Sequence, residues 1–299
     1  MELQDLYNEL KSILQTAGYR IGEMEPIDYG MQFGIDNGRR NLLRVYQNKK
    51  GRVKYDYSQL KGDPAEEIIA LIEGKRNRQQ HDLDFPLIGS DEAGKGDYFG
   101  PLVCAAVHVD KNAAAGLIRL GVRDSKTMDD TDILLLQSQI EKLVSGRYEI
   151  VELAPGLYNQ KIEQYRQRGQ KLNHLLANMH AFAIERLLKK VQCNNILVDK
   201  FADESLMIQA LSAKSRALHL VQLPSAEANI AVAAASVMAR GRYVRRLSQL
   251  SSQYNIDLGK GASSTIVEQG RRFVRKHGKK ELNQIAKLHF KTTQQLASF

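Results

Sequence analysis

Leu3, Leu6, Tyr7, Leu10, Ile13 and Leu14 recur at the spacing of one helix face, and Gly18 supplies a stop. The period then changes. From Arg52 to Tyr57 the chain alternates, with Val53, Tyr55 and Tyr57 on one side and Arg52, Lys54 and Asp56 on the other, which predicts a strand with one buried face. Asp36-Asn37-Gly38 and the stretch from Asn48 to Gly51 predict hairpin turns. Pro64 to about Lys75 predicts a second helix, with proline in its tolerated first turn. Residues 1–80 therefore predict a small α-plus-antiparallel-β unit.

From Lys75 to Asp82 the chain is polar and aperiodic, which predicts a linker over about 75–85. Beyond it, residues 81–299 predict an α/β domain. Leu87 to Ser90, Leu102 to Val109 and Tyr148 to Leu153 are strand candidates, as are Asn195 to Val198 and Ala217 to Leu223. Leu172, Leu175, Leu176, Met179, Ala183 and Leu187 mark a long amphipathic helix. An alanine-rich helix is predicted from Ala226 to about Arg245, with more helix from Ser264.

A length of 299 residues suits two unequal domains, and 43% hydrophobic residues can fill a sizeable core. The formal charge of +9 points to a polyanionic partner, either nucleic acid or an anionic membrane surface. Residues 1–80 hold thirteen basic and twelve acidic residues, so +8 of that charge belongs to 81–299. Cys104 and Cys193 lie apart, each in or beside an apolar run, which predicts buried thiols in a reducing compartment. Neither a signal-peptide pattern nor a run of ~20 apolar residues is present, so a cytoplasmic protein is expected.

The candidate chemistry is carboxylate chemistry. Asp91 and Glu92 close an apolar strand and run into the turn Ala93-Gly94-Lys95-Gly96. Asp199 ends the strand Ile196-Leu197-Val198, and Glu227 opens the alanine-rich helix. Each acid alone suits a cap or a turn. Together, acids at strand ends and a helix start can converge on one sheet edge. Two carboxylates ~4 Å apart repel by about 4 kcal/mol at an effective dielectric near 20. Hard divalent cations such as Mg²⁺ or Mn²⁺ reverse that sign and prefer oxygen ligands.

Gly89 to Lys95 also satisfies GxxxxGK, the opening of a phosphate-binding loop. The next residue is Gly96 rather than Ser or Thr, and two acids inside a phosphate cradle would repel the ligand. A nucleotide-binding loop is not expected.

Asp91-Glu92-Ala93-Gly94-Lys95-Gly96 resembles the DEXGXG motif of type 2 ribonucleases H. Arg123-Asp124-Ser125-Lys126, Tyr158-Asn159, Leu172-Asn173, Val198-Asp199 and Ala233-Ala234-Ala235-Ser236 follow in that family's order. Ala286-Lys287-Leu288-His289-Phe290 and the N-terminal extension resemble its HIII branch, as do Lys95 and Glu227, where the HII branch usually has Arg and Asp. The resemblance runs from about residue 86 to 299.

It implies an RNase H-like mixed five-stranded sheet flanked by helices. It also implies that Asp91, Glu92, Asp199 and Glu227 are the catalytic, metal-binding set, holding two Mg²⁺ or Mn²⁺ ions. The implied reaction is hydrolysis of the RNA strand of RNA/DNA hybrids, leaving 5′-phosphate and 3′-hydroxyl ends. An HII-like incision at single ribonucleotides and a non-catalytic nucleic-acid-binding protein are the alternatives. Residues 1 to about 80 would resemble half of a TATA-binding protein and bind substrate. Nothing demands more than a monomer.

Gly94, Lys95 and Gly96 are expected to let backbone amides approach the sugar-phosphate, in a turn needing positive φ. Ser125 and Lys126 are further substrate-binding candidates. His289 could meet phosphate, shuttle a proton or simply pack. Asp97 is either a fifth acid near the metals or a turn cap, and Asn173, His174 and His180 are expected to be structural or solvated. Arg39, Arg40, Arg44, Lys49, Lys50, Arg52 and Lys54 predict a cationic sheet surface. Arg240, Arg242, Arg245 and Arg246, then Arg271, Arg272, Arg275, Lys276, Lys279 and Lys280, could line a nucleic-acid backbone.

Overall fold

The computed structural model describes residues 3–36, 40–47, 53–61, 65, 67–69, 71–72, 83–123, 125 and 128–296. Both proposed hairpin tips, the linker stretch Lys75 to Asp82, Asp124, and the side chains of Arg39, Arg40, Lys49, Lys50, Arg52 and Lys126 lie outside the described residues. The chain divides into two compact units, Met1–Gln80 and His81–Phe299.

In the first unit, helix α1 (Leu3–Thr16) buries Leu6, Tyr7, Leu10 and Leu14, the stripe its periodicity marks. Strands β1 (Arg20–Ile21), β2 (Glu25–Ile27), β3 (Gly30–Asp36), β4 (Arg40–Gln47) and β5 (Val53–Asp56) form an antiparallel sheet in the order β1-β3-β4-β5, with β2 also on β3. Residues 65, 67–69 and 71–72 are helical. Met31, Phe33, Ile35, Leu43 and Val45 face α1, Ile68 and Ile72 in one core, and Val53, Tyr55 and Tyr57 pack against it. By strand alternation the other face carries Gln32, Gly34, Leu42, Arg44, Tyr46, Lys54 and Asp56. Arg44 donates to Gln32 Oε1 at 3.2 Å, and Asp56 is its register partner on the other side.

The second unit is built on five strands: β6 (Leu87–Ala93), β7 (Leu102–Val109), β8 (Tyr148–Leu153), β9 (Asn195–Asp199) and β10 (His219–Leu223). Their order is β10-β9-β6-β7-β8, with β6, β7 and β8 antiparallel and β9 and β10 running parallel to β6. This is the expected mixed sheet flanked by helices. Helices α2 (Lys111–Arg119), α3 (Asp130–Val144), α4 (Pro155–Gln167), α5 (Leu172–Leu188), α6 (Glu204–Ala210), α7 (Ile230–Tyr254), α8 (Ser264–His277) and α9 (Lys291–Gln295) complete it. Asp110, Asp129 and Asn229 cap α2, α3 and α7 through side-chain bonds to backbone N–H groups.

Two helices sandwich the central strand. On one face α7 comes so close that a Cβ built on Gly89 would lie 2.2 Å from the Ala231 carbonyl carbon. Only glycine on the strand, against the alanine run of the helix, allows that approach. On the other face α5 packs Ala177, Ala183, Ile184 and Leu187 against Ile88, Ala106, Ile196 and Val198.

Two expectations need correction. Glu227 does not open the alanine-rich helix. It sits in a 3-10 turn, Ala226–Ala228, because Asn229 takes the cap position and its Oδ1 accepts from Ala231 N at 2.9 Å. Likewise β10 begins at His219 rather than Ala217, since 215–217 form a 3-10 turn. The stretch Gly89–Ala93 is regular strand, paired with β7 throughout and with β9 at Gly89 and Ser90, not a phosphate loop. Cys104 and Cys193 are both buried and free.

Candidate active site

Strand register does the first part of the positioning. Ser90 pairs with Val198 across the parallel β6/β9 ladder, so the next residues out, Asp91 and Asp199, stand side by side at its end. Both share the parity of Gly89 and Leu197, which face α7. Glu92 has the opposite parity and points to the α5 side. Asp199 Oδ1 then accepts the backbone N–H of Ala226 at 3.0 Å, which ties the turn carrying Glu227 to the end of β9.

Asp91, Glu92 and Asp199 line one cavity of about 470 Å³, together with Gly94, Lys95, Gly96, Ser125, Met128, Ser236, Arg240 and Lys260. Glu227 is not part of that lining, although its turn is fastened to Asp199. Among the described residues no three acids, histidines or cysteines are already spaced as a closed metal cage. The acids are turned to protein partners instead. Asp91 Oδ1 accepts from Glu92 N at 2.7 Å, and the Ser236 hydroxyl also bonds its carboxylate. Ser125 Oγ lies 2.8 Å from Ser236 Oγ, so the loop containing Ser125 reaches Asp91 through one intervening hydroxyl.

Glu92 is held from both sides. His180 Nε2 is 3.2 Å from Oε2 and Lys95 Nζ is 3.4 Å from Oε1. Burial pushes the Glu92 carboxyl up, but the hydrogen bond and charge of His180, with those of Lys95, outweigh it and hold the group below its ordinary value. Asp91 goes the other way. Burial, the charge of Glu92 and the charge of Asp199 push it up to about 7, against the pull of its hydrogen bonds. The two neighbouring acidities are split because Asp91 is buried beside like charge while Glu92 has His180 and Lys95 for partners.

The glycine turn has divided duties. Gly94 has φ +87°, and a Cβ there would lie 2.2 Å from Pro101 O, so fold and packing both demand glycine. Gly96 is exposed, lies outside the positive-φ region, and has open space where a Cβ would be. The expected positive φ therefore holds for Gly94 and not for Gly96. What Gly96 offers is an unobstructed backbone on the rim of the acid-lined cavity.

Asp97 is a fastener. Its Oδ1 accepts Gly261 N at 2.6 Å, and Arg240 stands 3.7 Å from Oδ2. Lys287, fully buried, donates to the carbonyls of Asp97, Phe99 and Gly100 at 2.8, 3.3 and 2.7 Å and so clamps the chain just beyond the turn. Burial pushes Lys287 down to about 7, while Asp97 pulls it up. Asn159 holds Asn283, the Ala286 carbonyl and Leu288 N at 2.9 Å each. His289 is exposed and rests on the Tyr158 ring, with centroids 5.5 Å apart and Nδ1 3.4 Å from the Tyr158 hydroxyl. It is not among the residues lining the acid cavity.

The basic cluster on α7 and α8 is largely spent on ion pairs. Arg242 and Arg246 bond Glu152 at 2.6 and 2.7 Å, and Arg271, Arg272 and Arg275 surround Glu268. Arg240 is the member of that cluster that reaches the cavity, where Lys95 and Lys260 join it. Sequence reasoning missed two residues, Ser236 and His180. Ser236 stands in the quoted Ala-Ala-Ala-Ser run, and His180 shares the buried helix stripe of Leu176, Ala183 and Leu187. His180 is fully buried rather than solvated.

A family model described as Ribonuclease HII matches residues 88–293. A ribonuclease HIII of Protochlamydia amoebophila is 44% identical over 207 residues, which cover 69% of this chain and 67% of that protein. A ribonuclease HIII of Oceanobacillus iheyensis is 36% identical over 213 residues, covering 69% and 68%. The crystal structure of Bst-RNase HIII in complex with Mn²⁺ superposes with a TM-score of 0.66 at 28% identity, covering 99% of this chain and 96% of that one.

Proposed function

Because this chain belongs to the type 2 ribonuclease H family, on its ribonuclease HIII branch, we propose that it is an endonuclease that hydrolyses the RNA strand of RNA/DNA hybrids, with two divalent cations and with 5′-phosphate and 3′-hydroxyl products. The observation that carries this reading is the placement of Asp91 and Asp199 one residue beyond the Ser90–Val198 register pair of two parallel strands, in one cavity with Glu92.

The donor set suits hard cations. The acids that line the cavity offer carboxylate oxygens, its lining among the described residues has no thiol or imidazole, and Asp91 is driven to about 7 by burial and by the charge of Glu92 and Asp199. Asp91, Glu92, Asp199 and Glu227 would hold Mg²⁺ or Mn²⁺, the ion found in the Bst-RNase HIII complex. Such cations supply an activated water and charge stabilisation at the leaving oxygen.

The rest of the site serves binding. Lys95, Arg240 and Lys260 set positive charge on the rim of the acid cavity, where phosphates of a polyanionic strand would sit. Gly96 leaves its backbone open to a sugar, and telling RNA from DNA rests on the 2′-hydroxyl. Ser125 links the neighbouring loop to Asp91, and Lys126, just past it, is assigned a phosphate. In the first unit, the sheet face with Gln32, Arg44, Tyr46 and Lys54 is assigned to the hybrid backbone, with Arg52 beside it in sequence. The whole of Met1–Gln80 then acts as a substrate-binding domain.

The test is a cleavage assay on two duplexes, in Mg²⁺ and in Mn²⁺. One carries several consecutive ribonucleotides in a DNA-paired strand, and the other a single embedded ribonucleotide. Efficient cleavage of the first and poor cleavage of the second is expected. Preference for the single ribonucleotide would move the enzyme to an HII-like activity, and binding without cleavage of either would end the catalytic reading.

A further inference from the structure

Asp91 and Glu92 are adjacent on β6 and therefore point to opposite faces of the sheet, each toward a different helix. Asp91 is braced by Ser236 of α7. Glu92 meets His180 of α5, whose ring is wholly buried. We propose that His180 is a positioning residue that fixes the Glu92 carboxylate for cation binding. This inference rests on the reading above, in which Glu92 is one of the cation-holding acids.

The contacts form a continuous strut from the sheet to the acid. The Ser90 hydroxyl donates to the Ala105 carbonyl at 2.8 Å, inside the β6/β7 pair. Ser90 Oγ is also hydrogen-bonded to His180 Nδ1 at 2.8 Å. That bond sets the ring orientation and aims Nε2 at Glu92 Oε2, 3.2 Å away. The ring face is stacked on Phe201, with centroids 5.0 Å apart and planes 6° from parallel. Phe201 lies two residues beyond Asp199, and Lys95 Nζ stands 5.9 Å from the same ring centroid.

A histidine that merely filled the core would be satisfied by Ser90 and the apolar stripe of α5. This one turns its second nitrogen to a carboxylate on the cavity wall. With Lys95 on Oε1 and His180 on Oε2, both carboxylate oxygens are located before any ligand arrives. Outer contacts that orient ligand side chains typically change metal affinity or activity 10–100-fold when removed.

The test uses the full chain with His180→Ala, His180→Gln, His180→Asn and Glu92→Gln. It reads the Mg²⁺ concentration for half-maximal cleavage of a multi-ribonucleotide hybrid, the hybrid KM at saturating Mg²⁺, and Tm. His180→Ala is expected to raise the Mg²⁺ requirement by roughly 10–100-fold while the hybrid KM stays within about twofold. His180→Gln, whose amide nitrogen occupies the Nε2 position, should recover most of the loss. His180→Asn, which reaches Ser90 but not Glu92, should not. Should His180→Ala fail to fold, the Gln–Asn comparison decides alone. Equal Mg²⁺ dependence of those two variants overturns the inference. If Glu92→Gln keeps wild-type turnover, the assignment of Glu92 itself falls. If Glu92→Gln is inactive while all the folded His180 variants keep the wild-type Mg²⁺ requirement, only the role of His180 falls.

Discussion

Asp91 and Asp199 leave two parallel strands side by side, one residue beyond the register pair Ser90 and Val198. They are 108 positions apart in the chain, yet hydrogen-bond register leaves them no other place. Asp199→Asn keeps shape and the bond from Ala226 N while removing the charge. Turnover on hybrid is expected to fall by at least about a thousandfold, roughly 4 kcal/mol of transition-state stabilisation, with hybrid affinity within about threefold. Wild-type cleavage by this variant in Mg²⁺ or Mn²⁺ contradicts the assignment.

Crowded negative charge gives the protein a pH signature. Burial, Glu92 and Asp199 raise Asp91 from 3.8 in the unfolded chain to about 7 in the folded one. Between those values the folded state binds the extra proton, so metal-free stability should decline as pH rises from about 4 through about 7. Thermal unfolding with chelator at pH 5 and pH 8 measures this. Added Mg²⁺ should raise Tm more at pH 8 than at pH 5, and Asp91→Asn should flatten both trends.

The two glycines of the turn separate folding from binding. Gly94→Ala meets positive φ and Pro101 O, and should cost at least ~1–2 kcal/mol, or several degrees of Tm. Gly96→Ala meets open space and should fold with wild-type Tm, yet raise the hybrid KM because its methyl group stands on the substrate path. An unchanged KM for a folded Gly96→Ala removes Gly96 from the binding surface.

Deleting residues 1–80 leaves the compact unit that holds all four acids. KM for hybrid should rise about tenfold or more, with kcat within about twofold, since the chemistry is elsewhere. An unaltered KM refutes the substrate-binding role of the first unit.

Much of this was legible in the sequence because it depends on local pattern. The stripe of α1, the apolar runs of β6 and β9, and the acids at their ends follow from periodicity and from charge at strand termini. Glu227 lies before the helix that its position in the sequence suggests it opens, because Asn229 also caps well and its side chain wins the helix start. In the sequence the basic run on α7 and α8 reads as one surface. Only packing shows Glu152 taking Arg242 and Arg246 while Arg240, beside Asp97, lines the cavity. His180 carried a signal, a polar ring in an apolar stripe, but its partner sits 88 positions away on another element.

The central claim is that these acids are a cation site, and the most direct measurement of it is Mn²⁺ binding by calorimetric titration. Wild-type protein, Asp91→Asn and Asp199→Asn are compared near pH 8, without nucleic acid. Saturable binding by the wild type, weakened at least about tenfold in each variant, a loss of roughly 1.4 kcal/mol or more, is the expected result. Equal Mn²⁺ affinity in all three proteins would contradict it.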